Sequence, residues 1–178
     1  MLWGFCYSVE LLVGWEVAME EAMRCLKRFR KRYVILGSFA LYQYGFEVDP
    51  QDVDVWLDPK LSEQDWRSEV QRVAGRHQVS DHSRDCNGIH LRHLRIECDP
   101  HVDVLNVATR LGSTTFDAVY DQSLASRLGR LLPLKTLVFC KSAARRVNDY
   151  YQCRKIFEEL SEVWMSQKRL IPDSDDSA

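Results

Sequence analysis

The segment from Asp52 to Asp58, with the sequence DVDVWLD, constrains the fold more than any other part of the chain. Aliphatic residues recur in it at every second position, which is the period of a β-strand. The pattern therefore predicts a strand with one apolar face, and it places Asp52, Asp54 and Trp56 together on the opposite face. Two carboxylates then project side by side from one strand.

The rest of the chain predicts a series of helices and strands around this strand. In chain order they are a helix at 15–32, a strand at 33–36, helices at 38–45 and 62–74, one bent strand or two short ones at 88–98, a strand at 101–107, and helices beginning at 133 and 149. The polar stretch 76–87 is interpreted as a loop. This order indicates an α/β (α+β) fold class, a small mixed β-sheet with flanking helices, and not an alternating doubly wound fold.

The length of 178 residues leaves room for one domain with appendages. We distinguish an N-terminal extension at 1–14, a core at 15–132, C-terminal helices packed on the core at 133–166, and an acidic tail at 167–178. The tail is expected to be disordered because it is polar, acidic and terminal.

Charge and composition exclude some classes of partner. The 24 basic and 26 acidic residues give a net charge of −2, so bulk charge does not indicate a polyanion-binding protein. The basic run at 24–32 lies at the end of a predicted helix, where the helix dipole favours cations. The alternative for this run is a groove for a phosphate backbone.

The apolar start of the chain, 1–17, lacks a basic n-region and contains Glu10 and Glu16. It is interpreted as neither a signal peptide nor a membrane span. Six cysteines without a CxxC pair are typical of reduced thiols. We therefore expect a cytoplasmic protein with no membrane partner.

The residues that carry chemistry begin where the predicted strand at 33–36 ends in Gly37 and Ser38. A glycine allows close backbone approach, and free N–H groups at a helix start, with the Ser38 hydroxyl, suit a phosphate. Thirteen residues separate Ser38 from Asp52. The carboxylates of Asp52 and Asp54 would repel each other unless a divalent cation lay between them. The combination favours magnesium with a nucleoside triphosphate.

This arrangement resembles the signature of the nucleotidyltransferase superfamily with the DNA polymerase β-type fold: hydrophobic-Gly-Ser, a spacer, then Asp-hydrophobic-Asp-hydrophobic. The compact size resembles that of the minimal nucleotidyltransferases and the abortive-infection-type nucleotidyltransferase toxins. The superfamily also uses a third carboxylate on a later strand, which Asp103 matches. Many members carry Arg or Lys shortly before the Asp pair, whereas the run 48–51 has neither.

The resemblance implies an enzyme that moves a nucleoside monophosphate from ATP or another NTP to a hydroxyl acceptor and releases pyrophosphate. Asp52, Asp54 and Asp103 would be the catalytic and metal-binding residues, with Mg²⁺ or Mn²⁺ as the ion in a two-metal arrangement. Gly37 and Ser38 would hold the β- and γ-phosphates. The acceptor would be an RNA end, a protein or a small molecule. A toxin-type enzyme would have an antitoxin as its partner, and a homo-oligomer is the other expected assembly.

The resemblance continues more weakly over 133–160, where Lys141 interrupts the apolar stripe of one predicted helix and Asp149 begins the next. A lysine in such a stripe needs an anion. One interpretation is a structural Lys141–Asp149 ion pair between two packed helices. The other, implied by the resemblance, is nucleotide binding, with Lys141 reaching towards triphosphate oxygens and Asp149 orienting it.

A second class of function stays open. The chain could be a catalytically degenerate module of the same fold that acts in NTP or partner binding. The missing basic residue before Asp52 and the aromatic stretch at 2–7 favour this module. The three retained carboxylates favour the enzyme.

Overall fold

The computed structural model describes residues 19–86, 89–106, 110–111, 114–144 and 146–168. The predicted extension at 1–14 lies outside these residues, and so does the part of the predicted acidic tail that follows residue 168. The chain divides into two compact units, 1–134 and 135–178.

The helices of the first unit are α1 (Glu20–Arg28), α2 (Gly37–Gln43), α3 (Glu63–Ala74) and α4 (Phe116–Gln122). Its strands are β1 (Tyr33–Ile35), β2 (Val53–Leu57), β3 (Val79–Asp81), β4 (Arg84–Cys86), β5 (Ile89–Ile96), β6 (Val102–Asn106), β7 (Arg110–Leu111), β8 (Thr114–Thr115), β9 (Leu124–Ser126) and β10 (Gly129–Leu131). Two helices follow, α5 (Leu134–Ala144) and α6 (Val147–Lys168). None of the described helices combines the length and the apolar character that a membrane span requires.

A mixed sheet of eight strands forms the centre of the first unit. Its order is β3-β5-β6-β2-β1-β10-β9, and β4 also pairs with β5. β1 runs parallel to β10 and β2 runs parallel to β6, whereas β1 and β2 are antiparallel. The predicted mixed sheet with flanking helices is confirmed. The loop predicted at 76–87 is wrong in part, because β3 and β4 lie within it and pair with β5.

The alternation of β2 sorts its side chains as the sequence predicts. Its aliphatic residues are fully buried. Trp56, on the opposite face, is also buried because Phe116 of α4 packs against it edge to face, with ring centroids 5.0 Å apart. Asp52 and Asp54, nearer the start of the strand, remain partly exposed on that face.

The helix α1 ends four residues before the predicted boundary at residue 32. The backbone N–H groups of Arg30 and Lys31 donate to the buried carboxylate of Glu69 on α3, at 2.6 and 3.1 Å. These two bonds replace a further helical turn, and the chain then enters β1 at Tyr33.

Candidate metal centre

The parallel pairing of β2 with β6 brings the predicted aspartates together. The register aligns Asp54 with Asp103, and the Val53 N–H donates to the carbonyl of His101 at 3.1 Å. Aligned residues of neighbouring strands share a side of the sheet, and so do residues two apart on one strand. The side chains that this pairing places on one face are Asp52, Asp54, His101 and Asp103.

Three of these side chains converge on one point. His101 Nε2 lies 3.8 Å from Asp52 Oδ2 and 3.8 Å from Asp103 Oδ2. One ligand atom of each residue lies within 4.8 Å of the other two. Octahedral ligands at about 2.1 Å from an ion are separated by about 3.0 to 4.2 Å, so this spacing is close to that of a shared cation. Two carboxylates and one imidazole suit Mn²⁺, whereas Mg²⁺ favours oxygen ligands throughout.

The fourth side chain, Asp54, lies against the start of α2. Gly37 has a φ of +66°, and a Cβ at this position would lie 2.1 Å from Asp54 Oδ2. In the main chain, the Leu36 N–H donates to the backbone carbonyl oxygen of Asp54 at 2.9 Å. Any residue other than glycine at 37 would therefore both strain the backbone and push the Asp54 carboxylate away.

Asp103 is the most buried of the three aspartates, with 6% of its surface exposed. Arg95 of β5, aligned with it across the antiparallel β5–β6 pair, binds both carboxylate oxygens: Nε donates to Oδ1 at 2.8 Å and Nη2 to Oδ2 at 3.1 Å. His93 Nε2 lies 3.0 Å from Oδ1, but without the geometry of a hydrogen bond. Burial raises the pKa of the Asp103 carboxyl, but His93 and Arg95 together outweigh burial and hold this pKa well below its usual range.

The structure thus gathers Gly37, Asp54, Asp52 and Asp103 in one region, and Ser38 follows Gly37 at the start of α2. Sequence reasoning missed His101 and Arg95. His101 precedes Asp103 by two residues, so the strand period could have placed it on the same face. No such signal exists for Arg95, since its position depends on the register between β5 and β6.

Lys141 and Asp149 belong to the second unit and form a buried ion pair there. Lys141 Nζ donates to Asp149 Oδ1 at 3.0 Å, and the two side chains are 6% and 3% exposed. Arg146 also donates to this carboxylate, from Nε at 2.5 Å and from Nη2 at 3.2 Å. Burial raises the pKa of Asp149, but Arg146 and Lys141 together outweigh burial, and the pKa lies below its usual value. A role for Lys141 and Asp149 in nucleotide binding stays a prediction.

Comparisons with known proteins identify the fold. No family model matches the chain, and no match was found among the curated proteins. A crystal structure from Thermotoga maritima, described as that of a candidate nucleotidyltransferase, matches with a TM-score of 0.50 at 17% identity, over 88% of this chain and 98% of that one. A similarly described structure from Helicobacter pylori matches with a TM-score of 0.44 at 13% identity, over 74% of this chain and 58% of that one. The Thermotoga structure shows that this chain shares its fold, which confirms the resemblance at that level.

Proposed function

Because the chain has a nucleotidyltransferase fold, we propose that it is a metal-dependent nucleotidyltransferase. It would transfer a nucleoside monophosphate from ATP or another NTP to a hydroxyl acceptor, with release of pyrophosphate. The observation that carries this proposal is the convergence of Asp52, His101 and Asp103, with ligand atoms within 4.8 Å of one another.

The donor set fits a divalent cation. Asp52, Asp103 and His101 would hold one ion, and Asp54, aligned with Asp103 in the next strand, would contribute to the same group of charges. Bound divalent ions in such sites neutralise the leaving pyrophosphate and lower the pKa of the attacking hydroxyl. Mg²⁺ or Mn²⁺ is the proposed ion.

The protein's own contribution is to fix these carboxylates before substrate arrives. The Asp54 carboxylate lies against the backbone of Gly37, and the Asp103 side chain is buried on β6. Fixed charges of this kind need little reorganisation during reaction. Gly37 and Ser38 are proposed to contact the phosphates of the NTP.

The most detailed part of this proposal concerns the class of acceptor. We propose a hydroxyl of an RNA end, a protein or a small molecule as the acceptor. The notion of a toxin-type cytoplasmic enzyme controlled by an antitoxin rests on the sequence resemblance.

Two observations favour the alternative, a catalytically degenerate module that binds an NTP or a partner. Arg95 already occupies both oxygens of Asp103, and no Arg or Lys precedes Asp52 in the run 48–51. A module of this kind would bind NTP without transferring any part of it.

The test is transfer of label from each α-labelled NTP, with Mg²⁺ or Mn²⁺, into RNA, protein and small-molecule fractions. We expect label in one fraction and a loss of at least about 100-fold in Asp52→Asn, a change of about 2.7 kcal/mol in barrier height. The matched control is Asp81→Asn, because the Asp81 side chain is 43% exposed, Asp52 is 39% exposed, and Asp81 pairs with Arg67 on the surface.

Label that persists in Asp52→Asn would overturn the proposed catalytic role of the carboxylates. NTP binding without transfer to any fraction would instead support the degenerate module. Equal loss in both variants would point to a general loss of structure.

A further inference from the structure

We propose that Arg95 is a built-in counter-ion of the candidate metal centre, which neutralises Asp103 until a divalent cation displaces it. The inference rests on the metal centre of the proposed function. It adds that a cation and Arg95 compete for the carboxylate of Asp103, so that each weakens the binding of the other.

The first support is the geometry of the pair. Arg95 uses two different nitrogens for the two oxygens of one carboxylate, at 2.8 and 3.1 Å. Bidentate pairing of this kind is among the strongest hydrogen-bonded arrangements of charged side chains. The same Oδ2 that accepts from Arg95 also faces His101 Nε2 at 3.8 Å, within the converging ligand group.

The second support is the balance of charge on this face of the sheet. Asp52, Asp54 and Asp103 bring three carboxylates to the start of two adjacent strands, and like charges this close raise the free energy of the folded protein. Arg95 is a permanent cation within this group, bound to both oxygens of Asp103. A divalent cation, with two positive charges, would reduce the repulsion between these carboxylates further than Arg95 does.

The third support is that the guanidinium and a divalent ion have the same sign of charge. Both would have to share the oxygens of Asp103, so each lowers the affinity of the site for the other. Arg95 is 29% exposed, which gives its side chain access to solvent and a way to leave the carboxylate.

Another arginine on β5 provides a matched control. Arg92 is 32% exposed and pairs with Glu63 on α3, with Nε 2.9 Å from a carboxylate oxygen. It thus resembles Arg95 in strand, exposure and partner type, but Glu63 lies outside the converging group and is itself 43% exposed.

The experiment measures Mn²⁺ binding to the purified full chain, from the electron paramagnetic resonance signal of free Mn²⁺. We expect Arg95→Gln to bind Mn²⁺ about tenfold more tightly than the wild type, because a like charge is removed from the site. Arg92→Gln should match the wild type, and Asp103→Asn should bind more weakly. Arg95→Lys keeps the charge and should remain close to the wild-type affinity.

Thermal unfolding gives a second measurement. Without metal, Arg95→Gln should melt at a lower temperature than the wild type, because Asp103 loses its counter-ion. Saturating Mn²⁺ should narrow or remove this difference, since the ligand stabilises only the folded state. A purely structural cross-strand pair would leave the difference unchanged by Mn²⁺.

Mn²⁺ affinity that is equal or lower in Arg95→Gln would overturn the proposal. Equal affinity would mean that Arg95 does not compete with the ion, and lower affinity would mean that Arg95 orients Asp103 for it. Failure of the wild type and of every variant to bind Mn²⁺ would overturn the metal centre itself, and the inference with it. The two failures are distinguishable. If only the inference about Arg95 fails, the wild type still binds Mn²⁺ and Asp103→Asn weakens that binding; if the metal centre fails, no variant binds Mn²⁺.

Discussion

Asp103 in the first unit and Asp149 in the second invite comparison, because both are buried aspartates with a lowered pKa and an arginine partner. Their surroundings differ in the balance of charge. Two cations, Lys141 and Arg146, bind the Asp149 carboxylate. Asp103 instead shares its face of the sheet with the carboxylates of Asp52 and Asp54.

This difference indicates that neither burial nor a shifted pKa is enough to single out a candidate metal centre. In the second cluster two positively charged side chains surround one carboxylate, so the cluster has little affinity for a further cation. The first cluster has three carboxylates and one permanent cation, Arg95, among Asp52, Asp54, Arg95 and Asp103. Its metal-ligating atoms also converge. The number and sign of the neighbouring charges separate the two clusters, and three predictions test this distinction.

The largest expected effect is on stability in the second cluster. Asp149→Ala should lower the free energy of unfolding by about 3–5 kcal/mol, because it leaves Lys141 buried without this carboxylate. Asp103→Asn should cost only about 1–2 kcal/mol, because Asn retains an acceptor and Arg95 can reach water. Urea unfolding of both variants measures the difference.

A double variant, Lys141→Met with Asp149→Leu, removes both buried charges of this pair and should regain much of the stability that Asp149→Ala loses. If Asp103→Asn were the more destabilising single variant, the distinction between a binding cluster and a structural cluster would be wrong.

A smaller effect is expected at Gly37. Gly37→Ala should lower the free energy of unfolding by about 1–3 kcal/mol through its left-handed backbone, and displace the Asp54 carboxylate as well. Gly45 also has a positive φ, of +91°, but a Cβ there would meet no atom within 4 Å. Gly45→Ala should therefore lose only about 1 kcal/mol, from strain alone.

Urea unfolding and Mn²⁺ binding together separate these glycine variants. Weaker Mn²⁺ binding is expected in Gly37→Ala and not in Gly45→Ala. Equal Mn²⁺ affinities would show that the position of Asp54 does not matter to the metal centre.

The smallest effect is the response to acid. The pKa of Asp149 is lower in the folded protein than in the unfolded chain, where it is about 3.9. Asp149 therefore contributes fully to the free energy of unfolding at pH values well above 3.9. The contribution declines as the pH falls through and below about 4, because the unfolded state then binds more protons. Asp149→Asn should flatten the decline in unfolding free energy between pH 5 and about 3. A decline as steep as in the wild type would mean that other carboxyls dominate acid unfolding.

Several features of this protein are local and were therefore predictable from the sequence. The period of two in β2 is visible in seven consecutive residues, and it predicted that the aliphatic residues would be buried and that Asp52 and Asp54 share a face. The Gly37-Ser38 motif predicted a strand-to-helix junction, which the structure shows between β1 and α2. The order of the predicted helices and strands led to the correct fold class, and these motifs together with Asp103 carried the family resemblance.

Features that depend on distant parts of the chain were decided only by the tertiary structure. The early end of α1 depends on Glu69, which lies about 40 positions further along the chain. The burial of Trp56 depends on Phe116, and the pairing of Arg95 with Asp103 depends on the register of β5 against β6. A shift of one residue in that register would turn the opposite face of β5 towards the site. The sequence by itself thus determined the acidic residues of the candidate site, whereas long-range packing and strand register determined which cation neutralises them.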